Sequence, residues 1–294
     1  MDFAALQHSV FLQALGSAIL NSVWQSFIIW FLYESILFFF KNASSRLKHN
    51  IGFILLSTSF IWFIGGFISK ILSYGSFDSL SSAHEASYET MINHSNSALN
   101  ELFYYVSSSL SYLSVAYIFL LFFLLLKFFT AYRNIYIISH KGLVRPPQDI
   151  LSFSSILKAQ MGISKQVKIW ISKNIDIPAT IGFIKPVILI PLASLNHLSS
   201  YQLEAIILHE LSHIKRNDYL TNLIISIIET ILFFNPFVVL LADVIKRERE
   251  NCCDDYVLEY QYDPHSYATA LFRLEQTRHK STKLAIGEVS GKKQ

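Results

Sequence analysis

The stretch His209-Glu210-Leu211-Ser212-His213 places two histidines four residues apart, with a carboxylate beside the first. In an α-helix, residues i and i+4 lie on the same face, so both imidazole rings can point at one metal ion. This spacing is typical of zinc peptidases, in which the glutamate acts as the general base. The stretch therefore predicts His209 and His213 as zinc ligands and Glu210 as the catalytic base.

The residues before this motif indicate that it lies on a helix. Apolar side chains recur at helical spacing from Tyr201 to Leu208. Ser199 and Gln202 have the spacing of a capping box, in which each side chain hydrogen-bonds to the backbone of the other residue. We therefore expect a helix that begins near Ser199 and carries the zinc motif.

The composition is that of an integral membrane protein. Of the 294 residues, 52% are hydrophobic and only 15% are charged, which is too apolar for an ordinary soluble domain. Three stretches reach the length of about 20 mainly apolar residues that a bilayer crossing needs; they lie at about 15–40, 51–72 and 107–129. We therefore expect the lipid bilayer as a partner, whereas the net charge of +3 gives no indication of nucleic-acid binding.

The charged residues beside these spans predict their orientation, because Lys and Arg accumulate on the cytoplasmic side of a membrane. Lys41, Arg46 and Lys48 separate the first two spans without any acidic residue. The Ser-rich loop predicted from Ser73 to Leu102 carries acidic residues and no Lys or Arg. Basic residues follow the third span before the first acid, Asp149. This pattern predicts an N-terminus outside and a chain beyond the third span inside.

A catalytic zinc ion usually has three protein ligands, so two histidines leave one ligand to be found. The best candidates lie in the charged segment from Arg247 to Asp255. Glu250 and Asp254 lie four residues apart on one helix face, so Glu250 can bind zinc while Asp254 supports the site by hydrogen bonding. Glu248 is the rival third ligand, on a different face of the same helix.

The apolar segment from Tyr219 to Val244 has the hydropathy of a fourth span. A single crossing would place Glu250 on the opposite side of the membrane from the two histidines. Asn235-Pro236 provides a break, because proline is favoured at the first position of a helix and asparagine as the cap before it. We therefore predict a helical hairpin broken at Asn235, which either packs within the peptidase domain or enters the bilayer and returns.

Two short β-rich runs, Val167–Ile171 and Val187–Ile190, precede the zinc motif, with turn residues between them. They predict a small β-sheet. The edge of this sheet could bind an extended substrate by strand addition, or the sheet could simply cover the active helix. The sequence leaves both interpretations open.

Cys252 and Cys253 are the two cysteines of the chain. Because they are adjacent, they cannot form an ordinary disulfide across the fold, which is consistent with a reducing compartment. Two thiols without a second pair at metal-binding spacing are weak evidence for a metal or redox site. We interpret them as packing residues.

The ordered series of motifs resembles the BlaR/MecR-type membrane metallopeptidases, the antirepressor and sensor-transducer proteins of bacteria. The matching segments are Asn21–Gln25, Ile177–Phe183, Pro186–Pro191, the zinc motif with Asp218, Asn235-Pro236 and Arg247–Asp254. This resemblance implies a mainly α membrane protein, with three N-terminal transmembrane helices and a gluzincin-like α+β zinc peptidase domain containing a small β-sheet and an apolar helical hairpin. The corresponding domain limits are 1–133 for the membrane domain, 134–279 for the peptidase domain and 280–294 for a polar tail.

The same resemblance assigns roles to individual residues. It implies His209, His213 and Glu250 as zinc ligands and Glu210 as the catalytic base. Asp254 and Asp218 would support the site, although Asp218 also has the position of a cap for the next helix.

The function implied by the resemblance is that of a zinc-dependent endopeptidase in the bacterial cytoplasmic membrane, with its peptidase domain on the cytoplasmic side. Its substrate would be a cytoplasmic regulatory protein such as a transcriptional repressor, the enzyme itself, or both. Transducers of this type continue to an extracellular sensor domain, whereas this sequence ends at Gln294. Either the natural chain continues further or this member receives its signal differently, so β-lactam sensing is not assumed. The alternatives are a zinc protease for membrane-protein quality control and a non-catalytic signalling scaffold; a homo-oligomer is compatible with each.

Overall fold

The computed structural model describes residues 9–92, 97–138, 141–260 and 262–276, with the side chains of 74–92 and 97–108 left out. The chain divides into two compact units. The first consists of Met1–Phe128 and Ile225–Ile245, and the second of Phe129–Ile224 and Lys246–Gln294.

The predicted fold class, mainly helical with a small mixed sheet, is confirmed. The domain limits 1–133, 134–279 and 280–294 remain predictions. The predicted polar tail from residue 280 lies outside the described residues.

Three long helices open the chain: α1 (Val10–Phe39), α2 (Ser45–Ile92) and α3 (Ser97–Ile138). Among the described residues, three segments are long and apolar enough to cross a membrane, namely Val10–Phe39, Ser45–Ser73 and Ser109–Ile138. The prediction of three N-terminal spans is therefore confirmed by length and composition. The third helix continues nine residues beyond the predicted end at residue 129, and its apolar segment extends to Ile138 although it includes Lys127 and Arg133.

The Ser-rich segment from Ser73 to Leu102, which the sequence predicts as a loop, is largely helical instead. Helix α2 continues to Ile92 and α3 begins at Ser97, while 93–96 lie outside the described residues. Neither helix contains a proline, so the backbone does not have to leave the helical conformation where the apolar segment ends.

Small residues allow α1 and α3 to approach each other closely in the first unit. A Cβ atom added to Gly16 would lie 2.6 Å from the carbonyl oxygen of Leu110. One turn further along α3, the Ser114 hydroxyl donates a hydrogen bond to the carbonyl oxygen of Leu12 at 2.6 Å. Glycine and serine at such crossings are typical of membrane helices, where close backbone packing replaces the hydrophobic effect.

The predicted hairpin is confirmed, with its break at Asn235. Helix α7 (Asp218–Ile231) ends before it and α8 (Pro236–Glu259) begins directly after it. The fully buried Asn235 side chain accepts hydrogen bonds from the backbone N–H groups of Phe237 and Val238 at 3.1 and 3.4 Å. Asn235 is therefore the N-cap of α8, as its sequence context predicts.

The side-chain amide nitrogen of Asn235 connects the hairpin to α1 within the first unit. Its Nδ2 donates hydrogen bonds to the carbonyl oxygen of Ser22 and to Ser26 Oγ, both at 3.0 Å. Phe237 packs its ring against Phe27 at 5.1 Å between centroids. Because the amide donates two hydrogen bonds and caps a helix, its burial among apolar helices leaves no polar group unsatisfied.

The second unit contains a four-stranded sheet: β1 (Leu143–Val144), β2 (Lys168–Ser172), β3 (Ala179–Ile181) and β4 (Val187–Pro191). The strand order is β1-β2-β4-β3; β2 and β4 are parallel, and the two outer strands are antiparallel to their neighbours. The two predicted β-rich runs correspond to β2 and β4. The outer strands were not predicted, because two and three residues are too few for a periodic pattern.

Four helices accompany this sheet: α4 (Gln148–Gln160), α5 (Leu192–His197), α6 (Ser200–Arg216) and α9, which covers 264–276. Helix α6 lies at the centre of the core, with Ile207, Leu208 and Leu211 almost completely buried. Its predicted capping box is confirmed by reciprocal hydrogen bonds between Ser199 and Gln202. The apolar face of α6 therefore fixes the helix in the core and leaves its other face for the zinc motif.

Candidate metal centre

Helix α6 presents His209 and His213 side by side. Their ring centroids are 5.0 Å apart, and their side chains are only 12% and 15% exposed. The helix continues to Arg216 and ends at Asn217, whose left-handed conformation (φ 61°) turns the chain into α7. Asn217 suits this position because asparagine tolerates positive φ better than most residues.

Glu250 on α8 brings a carboxylate to the two histidines. Its Oε2 atom lies 3.6 Å from His209 Nε2 and 3.7 Å from His213 Nε2. One possible ligand atom from each of the three residues lies within 4.8 Å of the other two. Zn²⁺ bonds of about 2.0–2.1 Å in a tetrahedron separate neighbouring ligand atoms by about 3.3 Å. The donor set, two imidazoles and a carboxylate, therefore fits zinc in both chemistry and size.

The other carboxylate oxygen of Glu250 is held by Arg249. Oε1 accepts hydrogen bonds from Arg249 Nε at 3.0 Å and Nη2 at 2.7 Å. Arg249 is itself fixed by Asn222 on α7, whose Oδ1 accepts a hydrogen bond from Nη1 at 2.7 Å. The rival carboxylate, Glu248, instead accepts a hydrogen bond from Asn251 at 3.3 Å.

Burial disfavours the charged form of Glu250, but three neighbouring side chains outweigh this effect. His209, His213 and Arg249 lower the pKa of the Glu250 carboxyl to about 2. A carboxylate with this pKa is ionised at neutral pH, as a metal ligand must be.

Asp218 supports His213 from the side opposite Glu250. Its Oδ2 lies 2.8 Å from His213 Nδ1, and its Oδ1 accepts a hydrogen bond from Arg216 Nε at 3.1 Å. Burial opposes its ionisation, but the hydrogen bond from His213 and the charge of Arg216 lower the pKa of Asp218. One oxygen of Asp218 therefore contacts the predicted ligand His213, in addition to the helix-cap position that the sequence also allowed.

Asp254 and Tyr267 occupy the corresponding position behind His209. Asp254 Oδ1 lies 3.1 Å from His209 Nδ1, and the Tyr267 hydroxyl oxygen lies 2.8 Å from the same nitrogen. Sequence analysis found Asp254 from its spacing to Glu250 but missed Tyr267. No local pattern marks this tyrosine, because its only connection with the motif is spatial.

The surroundings of His209 favour its protonated form when no metal is bound. Burial lowers the pKa of this imidazole, but the nearby carboxylates of Asp254 and Glu250 reverse the effect and raise the pKa to about 10. A metal ligand must be a neutral imidazole, so metal binding has to displace this proton.

Glu210 lies beside the two histidines on the same helix and is 7% exposed. The hydroxyl of Thr180 donates a hydrogen bond to Glu210 Oε2 at 2.6 Å. Thr180 belongs to β3, one of the two outer strands of the sheet. Strand β3 contacts α6. The sheet therefore positions the side chain that the sequence predicts as the catalytic base.

A cavity of about 630 Å³ opens over these residues. Its polar wall contains His209, Glu210, His213, Arg249 and Glu250. Its apolar wall is formed by Ile177, Ile206, Leu271 and Leu274. A mostly apolar cavity with a few convergent polar groups is typical of a binding site for a substrate.

Both cysteines are buried free thiols. Cys253 Sγ lies 3.3 Å from His213 Nδ1 and 3.6 Å from Asp218 Oδ2, so these three residues also form a group small enough for a metal ion. Burial raises the pKa of the Cys253 thiol, whereas a metal ligand has to be a thiolate. We therefore interpret Cys253 as a neutral thiol packed against His213.

A family model described as BlaR1 peptidase M56 matches residues 16–294, which is nearly the whole chain. The chain belongs to the M56 peptidase family. M56 membership implies a metallopeptidase with a metal cofactor, in agreement with the group formed by His209, His213 and Glu250. The resemblance recognised in the sequence is confirmed.

Several curated proteins are similar to parts of this chain. The methicillin resistance mecR1 protein of Staphylococcus aureus strain Mu50 is 34% identical over 95 residues, which cover 32% of this chain and 16% of the relative. The mecR1 protein of Staphylococcus epidermidis gives the same values. Regulatory protein BlaR1 of Bacillus licheniformis is 31% identical over 127 residues, or 43% of this chain and 20% of the relative. The matches thus span no more than a fifth of these relatives.

Proposed function

We propose that this M56 family member is a membrane-embedded, zinc-dependent endopeptidase that cleaves a cytoplasmic regulatory protein, itself, or both, in signal transduction. The observation that carries this proposal is the meeting of three ligand atoms from His209, His213 and Glu250 beside the carboxylate of Glu210. The names of the mecR1 and BlaR1 relatives, a resistance and a regulatory protein, support a regulatory substrate.

In this proposal His209, His213 and Glu250 would hold the zinc ion, and Glu210 would act as the general base. Zinc at this site would supply Lewis acidity, which makes water more acidic and polarises the scissile carbonyl group. Glu210 would take a proton from the attacking water and pass it to the amine that leaves. The hydrogen bond from Thr180 holds the Glu210 carboxylate at the cavity for this task.

Strand β3, at one edge of the sheet, is the proposed binding site for the substrate backbone. Among the described residues, β3 pairs with β4 along one edge only. Three cavity-lining residues, Pro178, Ala179 and Thr180, lie at or just before this strand. An extended peptide that pairs with the other edge of β3 would gain main-chain hydrogen bonds and enter the cavity beside Glu210.

We further propose that the protein lies in the bacterial cytoplasmic membrane with its N-terminus outside and its metal centre on the cytoplasmic side. The support is the excess of Lys and Arg between the first two spans and after the third. Two variants with one added cysteine each, Ser44→Cys and Ser87→Cys, test this orientation, because both native thiols are buried. A membrane-impermeant maleimide should label only the Ser87→Cys variant in intact cells; the reverse pattern would contradict the orientation.

Removal of the metal tests the proposed activity. We expect the protein purified in detergent to contain about one zinc ion per chain, the number that one three-residue ligand set holds. A chelator should abolish self-cleavage and cleavage of an internally quenched peptide library, and added zinc should restore both. A protein without stoichiometric metal, or cleavage that resists complete removal of the metal, would contradict the proposal.

A further inference from the structure

The hydroxyl group of Tyr267 lies between two residues of the metal centre. Its oxygen is 2.8 Å from His209 Nδ1, and it donates a hydrogen bond to Asp254 Oδ1 at 2.7 Å. Asp254 Oδ1 is itself 3.1 Å from His209 Nδ1. The three atoms therefore form a closed triangle behind the imidazole, while His209 Nε2 faces Glu250 at 3.6 Å.

The two histidines differ in how the carboxylate behind each of them is held. Behind His213, Asp218 is only 4% exposed and is fixed by a hydrogen bond from Arg216. Behind His209, the Asp254 side chain is 39% exposed, so water competes for its oxygens and its rotation is less restricted. Tyr267, which is 5% exposed, is the buried donor that fixes this second carboxylate.

Helix α9, which carries Tyr267, is attached to α6 by contacts outside the metal centre. Asp263 caps helix α9 by accepting a hydrogen bond from the backbone N–H of Ser266 at 2.7 Å. The Gln202 side chain on α6 donates a hydrogen bond to the carbonyl oxygen of Ser266 at 3.4 Å. Helix α9 is thus attached to the helix that carries His209, and the attachment point, Ser266, directly precedes Tyr267.

We propose that Tyr267 is the positioning residue for the metal ligand His209. Its hydroxyl holds Asp254 Oδ1 against the Nδ1–H of the imidazole, which fixes the ring orientation and the tautomer that leaves Nε2 free for the metal. This inference rests on the proposed function, because it requires a metal ion at His209, His213 and Glu250. A buried phenol suits the role, since Tyr267 is 5% exposed and its hydroxyl donates a hydrogen bond to Asp254 at 2.7 Å.

The substitution Tyr267→Phe tests this role by removing one oxygen atom and keeping the aromatic ring. The full chain is stripped of metal in detergent and titrated with zinc against a chelating dye. We expect the zinc Kd to rise about 10- to 100-fold, the usual effect of losing an outer-shell partner. Tyr256→Phe is the matched control, because Tyr256 is comparably buried (8% exposed) and its ring contacts Lys215; its zinc Kd should not change.

Two further readouts separate positioning from a structural role. The cobalt-substituted Tyr267→Phe protein should show an altered visible absorption spectrum, while its metal-free unfolding temperature should match that of Tyr256→Phe. In the Asp254→Asn background, Tyr267→Phe should cause little additional loss of zinc affinity, because the hydroxyl acts through Asp254.

Three results would overturn the inference. They are an unchanged zinc Kd in Tyr267→Phe, full additivity with Asp254→Asn, and loss of the folded metal-free protein in Tyr267→Phe alone. A different result would refute the proposed function itself: His209→Ala would bind zinc with the same Kd as the wild-type protein. The titration of His209→Ala beside Tyr267→Phe therefore distinguishes the two failures.

Discussion

Substitution of Glu210 by Gln is expected to leave zinc bound while lowering the rate of peptide cleavage by about 10²- to 10⁴-fold, the contribution of a general base. Glutamine has the same size and can still contact Thr180, so the helix and the ligand geometry should be kept. It cannot accept the proton of the attacking water. Zinc content and initial cleavage rate, measured on the same purified sample, check both parts of this expectation.

Glu204→Gln is the matched control for Glu210→Gln. Glu204 lies on the same helix, six residues before Glu210, and is not among the residues that line the cavity. The control should keep both zinc and activity. Cleavage by Glu210→Gln at the wild-type rate would remove Glu210 from the mechanism, and loss of zinc from Glu210→Gln would assign the residue to the metal site instead.

The same variant identifies the substrate in cells. Proteins that accumulate in cells with Glu210→Gln but not in wild-type cells are candidate substrates. Accumulation of one soluble regulatory protein would support signalling, whereas accumulation of many damaged membrane proteins would favour the quality-control alternative.

Substitution of Glu250 by Ala is expected to reduce zinc affinity strongly, because it removes a ligand atom itself. The loss should exceed the factor of about 10 to 100 that is typical when a residue behind a ligand is removed. Cleavage should fall with zinc occupancy. The two histidines alone leave zinc with fewer protein ligands than the three usual for a catalytic site. Zinc titration and cleavage at saturating zinc measure the two effects separately.

Glu248→Ala is the control for Glu250→Ala, since it removes a carboxylate two residues away on the same helix. Glu248 hydrogen-bonds to Asn251 and not to the histidines, so zinc affinity and activity should remain at the wild-type level. If Glu248→Ala lost zinc and Glu250→Ala kept it, the third ligand would be Glu248 and the proposed site would be wrong.

Local patterns in the sequence were sufficient for most of the helical fold. The three apolar helices, the capping box at Ser199 and the break at Asn235 each depend on residues within a few positions of one another. The end of the second span was the exception. Apolar length predicted a loop from Ser73, but a helix needs no apolar side chains and continued to Ile92.

The sequence also determined a large part of the candidate site. The predictions for His209, Glu210 and His213 follow from helical spacing. The need for a third ligand led to the segment from Arg247 to Asp255, in which Glu250 was preferred to its rival Glu248. That requirement predicted the hairpin as well, because a single crossing would have separated the ligands. The same spacing argument placed Asp254 near Glu250.

Only the tertiary structure decided which groups hold these residues in place. Thr180 reaches Glu210 from 30 positions away, Tyr267 reaches His209 from 58, and Asn235 reaches Ser26 from 209. Each of these contacts joins side chains that share no helical or strand period. The sequence by itself therefore determined the helices and predicted the candidate metal-binding motif that they carry, whereas the partners that contact the motif depend on how distant elements pack.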